Sequence, residues 1–123
     1  MGTRVRQSVC QAASSKGRQK LFYVKTNRAL QHAYKELNKV FFNGKLPNDV
    51  DVRYGHVGRD LGWTIGNHWI IIKSQLKTWP SIALQVLMHE MVHVSLPKSS
   101  GHGKQFQKGM LRLAKLGAFR FIW

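Results

Sequence analysis

The stretch that most constrains this chain runs from Pro80 to about Leu96, just before Pro97. Ile82, Leu84, Val86, Leu87, Met88, Met91, Val92 and Val94 leave a helix there with no solvent face, so the rest of the fold has to wrap it. Proline suits its first turn, and the second proline ends it. The same helix nevertheless carries His89, Glu90 and His93, and polar side chains in apolar surroundings need partners. Their order, His89-Glu90-Met91-Val92-His93, supplies one. Residues four apart share a helical face with Cβ atoms about 5–6 Å apart, so two imidazoles can converge on one ion. This H-E-x-x-H spacing is that of zinc hydrolases, in which the glutamate takes the proton of a zinc-bound water and delivers it to the leaving group. Chance produces the pattern in about one chain of this size in a few hundred.

The helix needs neighbours, and the sequence offers them on both sides. Leu30, Ala33, Tyr34, Leu37, Val40 and Phe41 recur at spacings of three and four from about Asn27, marking one face of an amphipathic helix that Asn43-Gly44 stops. Val50 to Tyr54 reads as a strand, Gly55 to Asp60 as a polar turn, and Leu61 to Lys73 as one or two strands broken near Gly66-Asn67. Trp63, Trp69 and Trp79 are expected to pack in the core or against the sheet, and Met88 and Met91 to fill core space. After a Ser99-Ser100-Gly101 loop, a third helix spans about Lys104 to Leu116, with Phe106, Met110, Leu113 and Ala114 facing inward. No repeat or second-domain boundary is evident, so residues 1–25 read as a basic arm and 26–123 as one α+β domain.

Charge adds a second constraint. The chain of 123 residues has 20 Lys+Arg against 5 Asp+Glu, a formal net charge of +15. No acid precedes Glu36 and none follows Glu90. One-signed ends of this kind attract polyanions, of which nucleic acid is the commonest inside cells. Arg4, Arg6, Lys16, Arg18 and Lys20 in the arm, and Lys104, Lys108, Arg112 and Lys115 on the third helix, are the candidate DNA contacts. No apolar run reaches the roughly 18 residues of a membrane span. Met1 to Val9 lacks the apolar stretch of a secretory leader. Arg6 stands where a myristoylation signal needs Ser or Thr. One cysteine, Cys10, gives neither an intrachain disulfide nor a Cys-based zinc ribbon. The expectation is a monomer in a reducing intracellular compartment, cytoplasm or nucleoid or nucleus, with no membrane partner.

A catalytic zinc takes a third protein ligand and keeps a fourth position open. The downstream glutamate of thermolysin-like enzymes is excluded, because no Asp, Glu or Cys follows Glu90. The metzincin extension fails as well, with Leu96 at its glycine and Ser99 at its third histidine. His102 is the coordinating side chain left downstream, and His32, His56 and His68 remain open upstream.

With these residues the chain resembles the SprT-like zinc peptidases, a family that includes a eukaryotic enzyme degrading proteins crosslinked to DNA. The resemblance lies in His89-Glu90-x-x-His93 followed by His102-Gly103-x-x-Phe106. It extends to Tyr34-x-x-Leu37-Asn38, Phe42-x-Gly44-x-Leu46-Pro47, Leu61-Gly62-Trp63-Thr64 and Ile70-Ile71-Ile72, over about residues 28–116. It implies a minimal zincin-type metalloprotease domain, with a small sheet packed on the zinc-binding helix between N-terminal and C-terminal helices. It also implies one catalytic Zn2+ on His89, His93 and His102, Glu90 as general base, and protein substrates associated with or crosslinked to DNA. Candidates for stabilising the oxyanion are Tyr54, His56, Arg59 and His68. The competing expectations are a nucleic-acid-binding module with a structural zinc, and a protease of other targets whose charge serves solubility.

Overall fold

The computed structural model describes residues 24–97 and 101–119. In chain order these form helix α1 (Asn27–Phe41), strands β1 (Asp51–Gly55), β2 (Gly62–Ile65) and β3 (Trp69–Lys73), a 3-10 turn (Ser74–Thr78), helix α2 (Pro80–Val94) and helix α3 (Lys104–Lys115). This is the expected small α+β domain. Arg4, Arg6, Lys16, Arg18 and Lys20 lie outside the described residues, as do Ser99 and Ser100 of the loop. Val24, within the stretch assigned to the arm, is fully buried, and its carbonyl accepts a hydrogen bond from the Tyr54 hydroxyl.

The sheet has the order β1-β3-β2, with β1 parallel and β2 antiparallel to β3. Register aligns Val52 with Ile70 and Thr64, and Tyr54 with Ile72 and Gly62. On this inner face Val52, Tyr54, Ile70 and Ile72 are buried beneath the helices. The opposite face carries Arg53, Ile71 and Trp63 in one row and Asp51, Trp69 and Ile65 in the next. No helix of the described residues covers that face, so the expectation of packed tryptophans is corrected. Trp63, Trp69 and Trp79 are 40%, 41% and 60% exposed. Trp63 donates to Asp60 Oδ2 at 2.7 Å, and the Arg53 guanidinium lies 5.1 Å from the Trp69 ring centre. Strand-favouring residues report a pleated surface, and alternation alone does not say which face receives the helices.

Helix α1 starts at Thr26, whose Oγ1 accepts from the Ala29 amide at 3.0 Å. It ends where Asn43 and Gly44 adopt left-handed φ of 54° and 70° and the Gly44 amide returns to the Asn38 carbonyl at 2.9 Å. Its polar side chains do more than face water. Gln31 Oε1 accepts from the Val52 amide at 2.8 Å, Gln31 Nε2 donates to the Val50 carbonyl at 2.9 Å, and Asn27 Oδ1 accepts from the Tyr54 amide at 2.8 Å. The outer edge of β1 is thereby satisfied by side-chain amides. Strand β2 forms the opposite edge of the sheet, with no further strand beside it among the described residues.

Helix α2 lies at the centre, packed against β2, β3, α1, α3 and the 3-10 turn. Ala83, Leu84, Leu87, Met88, Met91 and Val92 are fully buried, and Ile82, at 39% exposure, is its one large apolar side chain turned outward among those read as core. On α3, Phe106 and Leu113 are buried and Met110 is half-buried, but Ala114 is exposed, which corrects its assignment to the inward face. Gly109 explains how closely α3 approaches. A Cβ built on it would stand 2.8 Å from Val92 Cγ1, so any larger residue forces the buried Val92 side chain or α3 itself to shift.

Candidate metal centre

The position of α2 decides the site. One side of the helix is in the core, while the opposite side opens into a cleft of about 830 Å³ bounded by β2, α2, Gly101-His102 and Met110. His89 and His93 project from α2 into this opening, and Gly101, in a left-handed φ of 54°, turns the chain so that His102 faces them just before α3 begins. His89 Nε2 and His93 Nε2 stand 3.2 Å and 3.1 Å from His102 Nε2. Two nitrogens on one tetrahedral zinc, each bonded at about 2.0–2.1 Å, are about 3.4 Å apart. The three imidazoles therefore fit a metal ion, and they are the group of ligand-type side chains that can hold one among the described residues. His102 is the third member. His32, His56 and His68 are exposed and stand outside the cluster.

Phe106 holds the cluster from beneath. Its ring centre lies 4.7 Å from that of His89, 4.6 Å from His93 and 4.8 Å from His102, edge-on to the first and third and stacked on the second. The Gln107 side-chain Nε2 donates to the His102 carbonyl at 3.2 Å, tying the loop to α3. Burial, with His93 and His102 adding to it, pushes the His89 imidazole down to about 4, and burial followed by His102 lowers His93. Neutral imidazoles with free nitrogen lone pairs are the form a metal requires.

Glu90 is 6% exposed and sits on the β2 side of α2. Its Oε1 accepts a hydrogen bond from Thr64 Oγ1 at 2.6 Å, while Oε2 lies 4.0 Å from His89 Nε2. Burial raises the carboxyl above its usual range, and the Thr64 hydrogen bond opposes that shift. Thr64 was not singled out as a site residue by sequence. Its part becomes visible once register puts it on the inner face of β2, where Gly62 lets the strand lie against α2.

The four oxyanion candidates are not brought to the cluster. Tyr54 is buried with its hydroxyl committed to Val24, and His56, Arg59 and His68 are exposed. None of the four lines the cleft. Of the candidate DNA contacts, Lys104, Lys108, Arg112 and Lys115 are exposed on α3, and the Arg112 guanidinium lies 5.2 Å from the Phe42 ring centre. No helix among the described residues is long and apolar enough to cross a membrane.

Two histidines on a buried helix and a third from the loop before α3, meeting at an open cleft beside β2, fit a small zinc-metallopeptidase-like domain. The family model described as SprT-like family matches residues 30–120, and the chain belongs to that family. No curated protein and no solved structure matches it.

Proposed function

We propose that this domain is a zinc-dependent endopeptidase acting on proteins associated with or crosslinked to DNA. The observation that carries the reading is the approach of His89 Nε2 and His93 Nε2 to 3.2 Å and 3.1 Å from His102 Nε2, beside a buried glutamate at an open cleft. Those three residues would hold the metal, and zinc bound there supplies Lewis acidity toward a carbonyl oxygen and makes water easier to deprotonate. Glu90 is the general base. It takes the proton of the attacking water on the carboxylate oxygen nearer the cluster and passes it to the leaving amine. Burial favours this, because it makes the carboxylate a stronger proton acceptor than one in water.

Substrate binding follows from the sheet. With the β1 edge occupied by Gln31 and Asn27, β2 is the edge open to an added strand, and it borders the cleft. An extended peptide there is held by main-chain hydrogen bonds, which accept many sequences. Ile82, Leu96 and Met110 add apolar side chains to the cleft wall, which suits unfolded segments.

DNA belongs to the reading as partner. Lys104, Lys108, Arg112 and Lys115 recur along the exposed side of α3, and the row begins two residues after His102. A polyanion on that row brings protein bound to it toward the cleft. The test is digestion of an unfolded protein by the zinc-loaded chain, with and without DNA. Cleavage that a chelator abolishes and zinc restores is expected, while a zinc-loaded chain that cleaves nothing would favour a structural metal. Affinity for a DNA oligomer should fall steeply on a log-log plot against salt, and a flat line would remove DNA and leave a protease of other targets.

A further inference from the structure

The rate of such an enzyme depends on where its base points, and a glutamate's terminal torsion is broad and roughly two-fold, so burial alone does not aim the two oxygens. We infer that Thr64 is the positioning residue that orients Glu90 toward the three-histidine cluster. This inference rests on the reading of Glu90 as general base. Thr64 Oγ1 is 2.6 Å from Glu90 Oε1 and 3.2 Å from the Glu90 carbonyl oxygen. A hydroxyl has one proton to give, and the shorter contact to the charged acceptor takes it. With Oε1 held on the strand side, Oε2 is left facing the cluster, 4.0 Å from His89 Nε2.

Three features of the sequence make this contact specific. The branched Cβ of threonine restricts χ1, so the hydroxyl is presented in a fixed direction. Pairing of Thr64 with Ile70 fixes its face, since a slip of one residue would turn the hydroxyl outward. Gly62 sets the distance. A Cβ there would stand 2.9 Å from Val86 Cγ1, 3.2 Å from the Ile71 carbonyl oxygen and 3.3 Å from Glu90 Cγ, so a side chain would lift the strand from the helix. The strand that borders the substrate cleft therefore also aims the base, and movement of β2 on binding an extended peptide would be felt at Glu90.

The experiment compares the full chain with Thr64→Val, Thr64→Ser, Glu90→Gln and the Thr64→Val/Glu90→Gln pair. Zinc content is measured for each, together with kcat and KM on an unfolded protein and the urea midpoint of the metal-free chains. Thr64→Val, which keeps shape and removes the hydroxyl, should bind zinc normally and lose about tenfold to a hundredfold in kcat with KM nearly unchanged. Thr64→Ser should recover to within about threefold of wild type, and the urea midpoints should be non-additive in the double variant. Wild-type kcat in Thr64→Val, equal damage in Thr64→Ser, or additive midpoints would overturn the inference. A wild-type chain that holds zinc and cleaves nothing overturns the protease reading instead. The midpoints then still decide whether Thr64 restrains Glu90.

Discussion

Replacing Phe106 by alanine tests how the domain couples its packing to its metal site. Phe106 is 7% exposed, and its ring meets all three imidazoles at centre-to-centre distances of 4.6–4.8 Å. Truncating a buried phenylalanine costs about 3–5 kcal/mol. Because this ring is 7% exposed and not fully enclosed, the lower end applies, about 3 kcal/mol. A change of that size shifts the folding equilibrium roughly 150-fold and removes a large fraction of a typical domain's 5–15 kcal/mol. The ring also limits the rotation of the three imidazoles, so its loss should weaken zinc binding by about tenfold to a hundredfold, the range found when groups supporting metal ligands are removed. Phe106→Leu separates the two effects. It keeps most of the apolar volume and should cost less than about 1.5 kcal/mol, while still losing the flat surface under His93. Urea unfolding of the metal-free chains gives the first quantity, and zinc competition with a chromogenic chelator gives the second. A Phe106→Ala chain within about 1 kcal/mol of wild type, with unchanged zinc affinity, would refute this reasoning.

Other consequences are equally direct. Gly109→Ala drives a Cβ to 2.8 Å from Val92 Cγ1, so α3 must move off α2, costing about 1–3 kcal/mol and weakening zinc binding through His102; unchanged values in both assays would contradict the close approach. Asn38→Ala strips partners from the buried Leu46 amide and carbonyl, bonded now at 3.1 Å and 2.9 Å, and should cost about 2–3 kcal/mol in urea unfolding. Burial, with Asp49 adding to it at Tyr34, pushes Tyr34 and Tyr54 from the ordinary 10.0 up to about 12. The native state therefore keeps protons that the unfolded chain releases. Stability should be intact below about pH 10 and decline toward 12, with late tyrosinate absorbance; phenols titrating near 10 in the native protein would contradict this.

Much of this architecture was readable because it follows from local rules. The apolar surround of Ile82 to Val94 marked a central helix, the three-and-four spacing from Leu30 to Phe41 marked α1, and the strand break at Gly66-Asn67 falls between β2 and β3. The site residues on α2 were readable for the same reason, since one helical turn fixes their spacing. His102 needed elimination and the resemblance, because a loop separates it from α2. What sequence did not reveal depends on non-local pairing. Sheet order and the covered face are set by how three strands associate, which left the tryptophans misassigned and Thr64 unnoticed. The amide contacts from Gln31 and Asn27 to β1 join residues 19 to 27 positions apart, with no periodic signal to mark them.

The proposed chemistry is peptide-bond hydrolysis by a base beside a three-histidine metal site. Its most direct test is the zinc content and proteolytic turnover of Glu90→Gln beside wild type. One zinc per chain is expected in both proteins, because Glu90 is not among the three ligating side chains, with turnover of an unfolded protein in wild type alone. A Glu90→Gln chain that cleaves as fast as wild type would contradict it.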